Sequence, residues 1–412
     1  VIPDPTPAAP TLPVSTLPVP TPPPPAFHDP TGLSWGQVAP PTPPEARGLD
    51  GLHSTRLEFT GIGAEYFRVW VVHTLLSLLT LGIYSAWAKA RKARWFARHT
   101  LLLGDAFDYH AEPWRILVGR VLGLVLLAGY SFAFDWSFSA GLVMLGLLCA
   151  LGPALFAGAQ RFRLANTSWR GLRFGHSMPL LGAYRVGVPV LLVWTSGTVL
   201  TALHAPGPWL VAAGLGLLAV APWAHARLKQ IQHGHAHYAG RPFSFHTRFG
   251  GFYRIHASAF GIALVGGTVV GFICSLLGGL VPGAAALPGF FIGLVITAVT
   301  LSLFVWPYFA ARTQQLVWHH TRWGELRFHT RIESQGLRRL VIMQVLATLF
   351  TAGLYWPFAA VALARYRVGA MSVLSEQPLD EVLAALPPSA APGDGRASGD
   401  AAADLFGLDL GW

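Results

Sequence analysis

Thr321-Arg-Trp-Gly-Glu-Leu-Arg-Phe328 follows one hydrophobic span of this chain, and Thr167-Ser-Trp-Arg-Gly-Leu-Arg-Phe174 follows another. Looser copies stand at Thr100-Leu-Leu-Leu-Gly-Asp-Ala-Phe107 and Ala236-His-Tyr-Ala-Gly-Arg-Pro-Phe243. Counting back 21 residues from each closing Phe reaches Pro307, Pro153, Ala86 and Pro222. A constant offset means that one structural unit is reused about four times, and a fifth, partial copy starts at Pro357. Eight residues into the units stand Arg94, Arg161, Gln230, Gln315 and Arg365. A long polar side chain at a cytoplasmic helix end is expected to snorkel toward headgroups and to favour the negative end of the helix dipole.

Within each copy the pattern changes period. Arg170-Gly171 and Gly324-Glu325 are tight-turn dipeptides. After them, apolar residues alternate: Leu172 and Phe174, Leu326 and Phe328, Phe107 and Tyr109, Phe243 and Phe245. Period two predicts a β-hairpin with one buried face. A lone hairpin is marginal in water, so the hairpins are expected to pack on helix ends, on the bilayer surface or on each other as a small cytoplasmic cap. The alternative is that they are ordered loops. The repeat and interface candidates are therefore Arg94, Arg161, Arg365, Trp169, Phe174, Trp323, Phe328 and Phe107.

The surroundings of the repeat are apolar. The 412 residues are 53% hydrophobic and 12% charged, with mean hydropathy +0.47, against about 25% charged in soluble domains. Eight stretches approach the ~20 apolar residues that a crossing helix needs: 66–88, 116–134, 138–160, 180–203, 208–226, 257–281, 287–311 and 339–363. The expected fold is thus an all-α polytopic helical bundle of internal repeats, with short cytoplasmic β-hairpin loops. Residues 56–376 form the membrane domain. Residues 1–55 are a Pro-rich disordered extension, and 377–412 a disordered tail whose apolar end, Leu405–Trp412, could dock on a partner or the bilayer. No charged segment precedes an apolar core near the N-terminus, so no cleavable signal peptide is expected. Cys149 and Cys274 fall in hydrophobic spans and read as core residues rather than a disulfide.

The net charge of +10 is unevenly placed. The long loops 87–120, 158–187, 225–254 and 312–339 hold 23 of the 29 Lys and Arg, and the short connectors 135–137, 204–207 and 282–286 hold none. The positive-inside rule puts the long loops in the cytoplasm. The basic surplus thus speaks for topology and attraction to anionic headgroups, not for nucleic acid. The ends are less simple. Thr80-Leu-Gly-Ile-Tyr84 and Thr351-Ala-Gly-Leu-Tyr355 share a pattern, and basic residues flank both segments on both sides. Either there are eight crossings with both termini outside, or six crossings with two re-entrant segments turning near Gly82 and Gly353 and both termini cytoplasmic. The second is favoured, since non-helical backbone at membrane depth is tolerated when buried in protein.

Phe59-Thr-Gly, Glu65-Tyr-Phe-Arg-Val-Trp70, Thr80-Leu-Gly-Ile-Tyr-Ser-Ala-Trp-Ala-Lys-Ala-Arg91, Phe107-Asp-Tyr-His110 and Gly119-Arg120 together resemble the YjgN family, as does the closing Phe350-Thr-Ala-Gly-Leu-Tyr-Trp-Pro-Phe-Ala359. The family comprises bacterial inner-membrane proteins without an established biochemical function. The resemblance covers roughly 56–376 and implies an inner-membrane location. It carries over no catalytic or ligand residue.

Candidate chemistry is sparse. His233, His235 and His237 alternate, which on a strand could suit a metal, but no Cys or carboxylate accompanies them; they read as a polar exposed loop, and His319-His320 as structural. Among polar residues in or near the spans (His73, Arg120, Asp135 and Arg185), His73 is the deep candidate, either a satisfied helix contact or a proton-relay group. No phosphate-binding loop, nucleophile elbow or HExxH pattern appears, so no catalytic residue, metal or cofactor is assigned. Gly266, Gly267 and Gly271 indicate close helix packing. The expected function is non-enzymatic: a basic, aromatic cytoplasmic face engaging anionic lipid or a protein partner, with homo-oligomerisation open. The alternative is a transporter or channel for a small solute or ion.

Overall fold

The predicted turns form. Leu103-Gly104, Arg170-Gly171 and Ala239-Gly240 have both residues at positive φ, as type I′ turns require, while Gly324 alone is positive in the fourth turn, the pattern of type II′. They join β2 (Thr100–Leu102) to β3 (Asp105–Tyr109), β4 (Thr167–Trp169) to β5 (Leu172–His176), β6 (Ala236–Tyr238) to β7 (Arg241–Phe245) and β8 (Thr321–Trp323) to β9 (Leu326–Thr330). The computed structural model describes residues 52–278 and 286–384.

The expectation of an all-α bundle is overturned, because the expected β-hairpins form a barrel of their own. The four hairpins join edge to edge, and β1 (His53–Phe59) and β10 (Met371–Ser375) close them into an antiparallel barrel of ten strands, in the order β1-β10-β9-β8-β7-β6-β5-β4-β3-β2. The physical reason lies in the edges. A strand edge exposes unpaired N–H and C=O groups, and a two-stranded hairpin cannot cover them alone. A closed ring of hairpins has no edges. The seams between hairpins pair Phe107 with Trp169, Phe174 with Tyr238, Phe243 with Trp323 and Phe328 with Val373.

Five units, not four, build the ring. Strands β2, β4, β6, β8 and β10 each begin fourteen residues after Ala86, Pro153, Pro222, Pro307 and Pro357. The partial copy at Pro357 therefore supplies the first strand of a fifth hairpin, and β1, from the other end of the chain, supplies the second. The units match bond for bond. The N–H groups of Thr60, His110, Ser177, His246 and Arg331 donate to the carbonyls of His99, Asn166, His235, His320 and Ala370, at 2.8–3.4 Å.

A pair of helices leaves and rejoins the barrel in every unit: α1 (Gly63–Leu79) with α2 (Ser85–Arg98), α3 (Pro113–Trp136) with α4 (Phe138–Ala165), α5 (Leu180–Ala202) with α6 (Gly207–Gly234), α7 (Phe249–Gly278) with α8 (Ala286–His319), and α9 (Ser334–Phe350) with α10 (Trp356–Gly369). Each helix packs on the next around a ring, and α10 returns to α1. The reused sequence explains the packing. Ala86, Pro153, Pro222, Pro307 and Pro357 are buried, and one turn on Ala90, Ala157, Ala226, Ala311 and Val361 are 0–3% exposed. Small side chains on successive turns let helices approach closely.

The first and last pairs are short. Helices α1 and α9 have 17 residues each and α2 and α10 have 14, against 23 to 34 in α3–α8. Their shared motif folds the same way twice. Thr80 Oγ1 donates to the Leu76 carbonyl and accepts from the Tyr84 N–H; Thr351 does the same with Ala347 and Tyr355. Leu81-Gly82 and Ala352-Gly353 take positive φ, with the glycines at 89° and 93°. The helix thereby reverses within five residues, and the tips expose Leu79, Leu81 and Phe350 at 80, 95 and 86%.

A last helix, α11 (Leu379–Ala384), follows β10 inside the stretch expected to be tail. The Pro-rich residues up to 51, the tail from 385 with its apolar end, and the side chain of Cys274 lie outside the described residues.

Candidate functional site: the barrel lumen, its floor and the arginine belt

Strand alternation points Phe107, Trp169, Phe174, Tyr238, Phe243, Trp323 and Phe328 into the barrel, where they form one apolar cluster. Neighbouring rings lie 4.6–6.5 Å apart between centroids. The Trp169 and Trp323 indoles donate to the carbonyls of Asp105 and Arg241, each at 3.2 Å, and the Tyr238 hydroxyl donates to the Trp169 carbonyl at 2.8 Å. The same alternation turns the exposed Arg173, Arg322 and Arg327 outward. The expected basic, aromatic face is thus two faces: aromatics fill the lumen and arginines coat the outside.

Helix α11 packs on the turn end of this lumen. Leu379, 3% exposed, belongs to the cluster, and Val382 and Leu383 pack on it. Arg170, stacked 5.1 Å from Trp169, holds Asp105 of β3 and, at 3.2 Å, Asp380 of α11.

At the helix end of the barrel, four of the five repeated polar residues clamp backbone. Arg94 Nε donates to the Tyr109 carbonyl at 2.9 Å and Arg365 Nη2 to Gly61 at 2.8 Å; Arg161 and Gln315 reach Met178 and Ile332. Where the repeat position is Gln, an Arg three residues earlier bonds its Oε1: Arg227 to Gln230 and Arg312 to Gln315, at 3.1 and 3.2 Å. These side chains tie a helix end to the loop after a strand.

The histidines disperse. Helix α6 runs to Gly234, so His233 is helical, facing Thr321 Oγ1 at 3.4 Å and the Trp318 ring. His235 ends the helix, and His237, on β6, lies where any side chain at Gly175 would meet it. Among the described residues no group of three His, Cys, Asp or Glu could hold a metal. His176, on β5, donates Nε2–H to the Ile231 carbonyl at 3.1 Å. Burial pushes its pKa down to about 4; the bond to Ile231 opposes this, and His235, Arg161 and His237 reinforce it. His319 bonds the Thr330 carbonyl at 3.1 Å and stacks on His329. His73 places Nδ1 3.1 Å from the Tyr84 hydroxyl and ties α1 to α2. Arg120 bonds Ser85 across to α2.

One alignment of residues escaped the sequence reading, although Arg185 among them was already a candidate. Arg68, Arg185, Arg254 and Arg339 each stand five residues after the start of their helix, and Arg91, Arg227 and Arg312 stand five after the repeat's reference residue. All seven are exposed, at the barrel-side ends of the helices. At the other ends, Trp136 and Trp209 are 89 and 61% exposed. From Arg120 to Trp136 and from Trp209 to Arg227 the helical rise is about 24–27 Å, close to the ~30 Å hydrocarbon core. The signal for the belt was present, but it needs the helix starts to align it.

A family model described as "Bacterial protein of unknown function (DUF898)" matches residues 54–405. The chain belongs to this family. Proteins called "Inner membrane protein YjgN" are similar to it: that of Salmonella typhimurium is 29% identical over 34% of this chain and 36% of its own, and that of Escherichia coli O157:H7 29% identical over 39% and 42%. The chain thus spans under half the length of these curated relatives that it matches. No solved structure matches. The membrane reading stands, for among the described residues five helices of this DUF898 chain are long and apolar enough to cross a bilayer: Pro113–Trp136, Phe138–Ala165, Leu180–Ala202, Gly207–Gly234 and Phe249–Ile273.

Proposed function

We propose that this is a multi-pass inner-membrane protein without catalytic activity, whose arginine belt binds anionic headgroups and holds the barrel against the cytoplasmic surface. The belt carries the reading: seven exposed arginines at two repeat-equivalent levels, beside a charge map that puts 23 of 29 cations in the barrel-side loops. Helices α3–α8 then cross, and the two short pairs enter and return. From Arg68 to Thr80 and from Arg339 to Thr351 the chain runs twelve residues, about 18 Å of helix, short of a crossing. Both ends of the described chain, β1 and α11, fall on the barrel side. The competing transporter or channel reading loses the barrel as its route, since aromatic rings fill the lumen and α11 packs on its mouth.

Each cation near an anionic surface contributes ~1 kcal/mol, so three removed charges weaken headgroup binding roughly a hundredfold. The test is phosphatidylglycerol retained by the purified full chain, wild type against Arg185→Gln/Arg254→Gln/Arg339→Gln. Strong loss of retained lipid in the variant is expected; equal retention refutes the belt. A C-terminal alkaline phosphatase fusion is expected to be inactive, and high activity rejects the topology.

A further inference from the structure

The seam between β3 and β4 has an equivalent between β7 and β8. Trp169 donates to the Asp105 carbonyl in the first and Trp323 to the Arg241 carbonyl in the second, each at 3.2 Å. The charges differ. In the first seam Asp105 pairs with Arg170, and Asp380, which follows β10, brings a second carboxylate to Arg170 at 3.2 Å. In the second, Arg241 stands where Asp105 does and Gly324 where Arg170 does. Arg241 Nη1 lies 3.8 Å from the position of a Cβ on Gly324. Beside that turn, Arg322 and Arg327 face each other in register on the outer wall, between Ser244 of β7 and Leu374 of β10.

Like charges directly opposite each other destabilise a sheet. All three arginines are exposed, and none has a hydrogen-bond or ion-pair partner among the described residues, Glu325 of the turn included. The chain after α11 is of opposite sign. Residues 385–412 carry Asp394, Asp400, Asp404 and Asp409 against one cation, Arg396. Reach does not limit the pairing. Helix α11 packs on the turn end of the barrel, where these arginines stand. Asp394 follows Ala384 by ten residues, a span of up to ~35 Å in extended chain. Ten strands spaced about 4.8 Å apart put the far side of the wall about 24 Å round.

We propose that residues 394–409 dock on the outer barrel wall of their own chain at the β8–β9 turn, where their aspartates pair with Arg241, Arg322 and Arg327. Asp380 already pairs in this way with Arg170 at the equivalent seam. The docking surface is separate from the arginine belt, which lies on the helices.

The test is photo-crosslinking of the full chain in dilute maltoside micelles, with p-benzoylphenylalanine in place of Ser244, beside Arg322. Crosslinks to residues 394–409 at the monomer mass are expected. The same probe in place of Ala106, exposed on β3 and five strands round the ring from β8, is expected to give few. Asp394→Asn/Asp400→Asn/Asp404→Asn/Asp409→Asn and Arg322→Gln/Arg327→Gln are each expected to cut the Ser244 crosslink roughly tenfold, the combined strength of about three exposed ion pairs. Both arginines are exposed on the outer wall, so their replacement leaves the barrel folded. Absence of tail crosslinks at Ser244, equal yields at Ser244 and Ala106, unchanged yield in either variant, or crosslinks only at the dimer mass overturns the proposal.

Discussion

Trp323→Ala probes whether the lumen is the core of the barrel. Trp323 is 6% exposed, with Tyr238 and Phe243 at 5.4 and 6.0 Å between centroids and its indole on the Arg241 carbonyl at 3.2 Å. Removing a large buried aromatic side chain costs about 3–5 kcal/mol. Within that cost, the two ring pairs carry about 0.5–1.5 kcal/mol each beyond area burial, and the hydrogen bond a similar amount. Trp323→Phe keeps most of the packing and loses the bond, so its cost is about 1–2 kcal/mol. Arg327→Ala lies on the same hairpin but points outward and is exposed, so it stays within about 0.5 kcal/mol. The assay is denaturant unfolding of the three variants in maltoside micelles, followed by tryptophan emission and circular dichroism. The order Trp323→Ala, Trp323→Phe, Arg327→Ala is expected. Equal destabilisation by Trp323→Ala and Arg327→Ala would show that the aromatic face is not a core and refute the inward assignment.

Three further outcomes follow from the geometry. The folded pKa of His176, about 4, lies below its unfolded value of 6.5, so the unfolded chain binds the extra proton. Its contribution is full above pH 6.5 and is lost as pH falls toward 4, by roughly 3 kcal/mol; His176→Gln is expected to flatten the fall of melting temperature over that window. Gly82→Ala and Gly353→Ala meet open space and positive φ at both positions, so each costs more than about 1 kcal/mol by backbone strain, read as a lowered melting point. Leu379→Ala is expected to cost about 2–5 kcal/mol and to raise proteolysis after residue 375, since Leu379 is 3% exposed in the lumen cluster.

Much of this was legible in the sequence, and the part that was not has identifiable causes. The reused unit, its turn dipeptides and the period of two are local signals, and they placed the hairpins at Arg170-Gly171 and Gly324-Glu325. Closure is not a local signal. Nothing near Phe174 names Tyr238 as its partner, and β1 and β10 meet from opposite ends of the chain. The partial copy at Pro357 therefore read as truncated when it was half of a hairpin. Alternation put Leu326 and Phe328 on one buried face, but not what that face is buried against: the lumen exists only once the hairpins close into a ring. The histidine run misled because the helical period persists to Gly234 and changes to two only at β6. The snorkelling expected of Arg94, Arg161 and Arg365 gave way to backbone carbonyls 15, 17 and 304 residues away in the chain, which only the fold brings near.

The central claim is that the two ends of the folded chain close one barrel, and a cross-link tests it most directly. Thr55 and Val373 are register partners of β1 and β10. Directly opposed residues have Cα atoms about 4.5–5.5 Å apart, within disulfide range. In a background without Cys149 and Cys274, Thr55→Cys/Val373→Cys is predicted to oxidise rapidly to an intramolecular disulfide at the monomer mass. Thr55→Cys/Leu374→Cys, whose second cysteine faces the other side of the sheet, is predicted to remain reduced. Failure of the first pair to cross-link, or equal cross-linking of both pairs, would contradict the closed barrel.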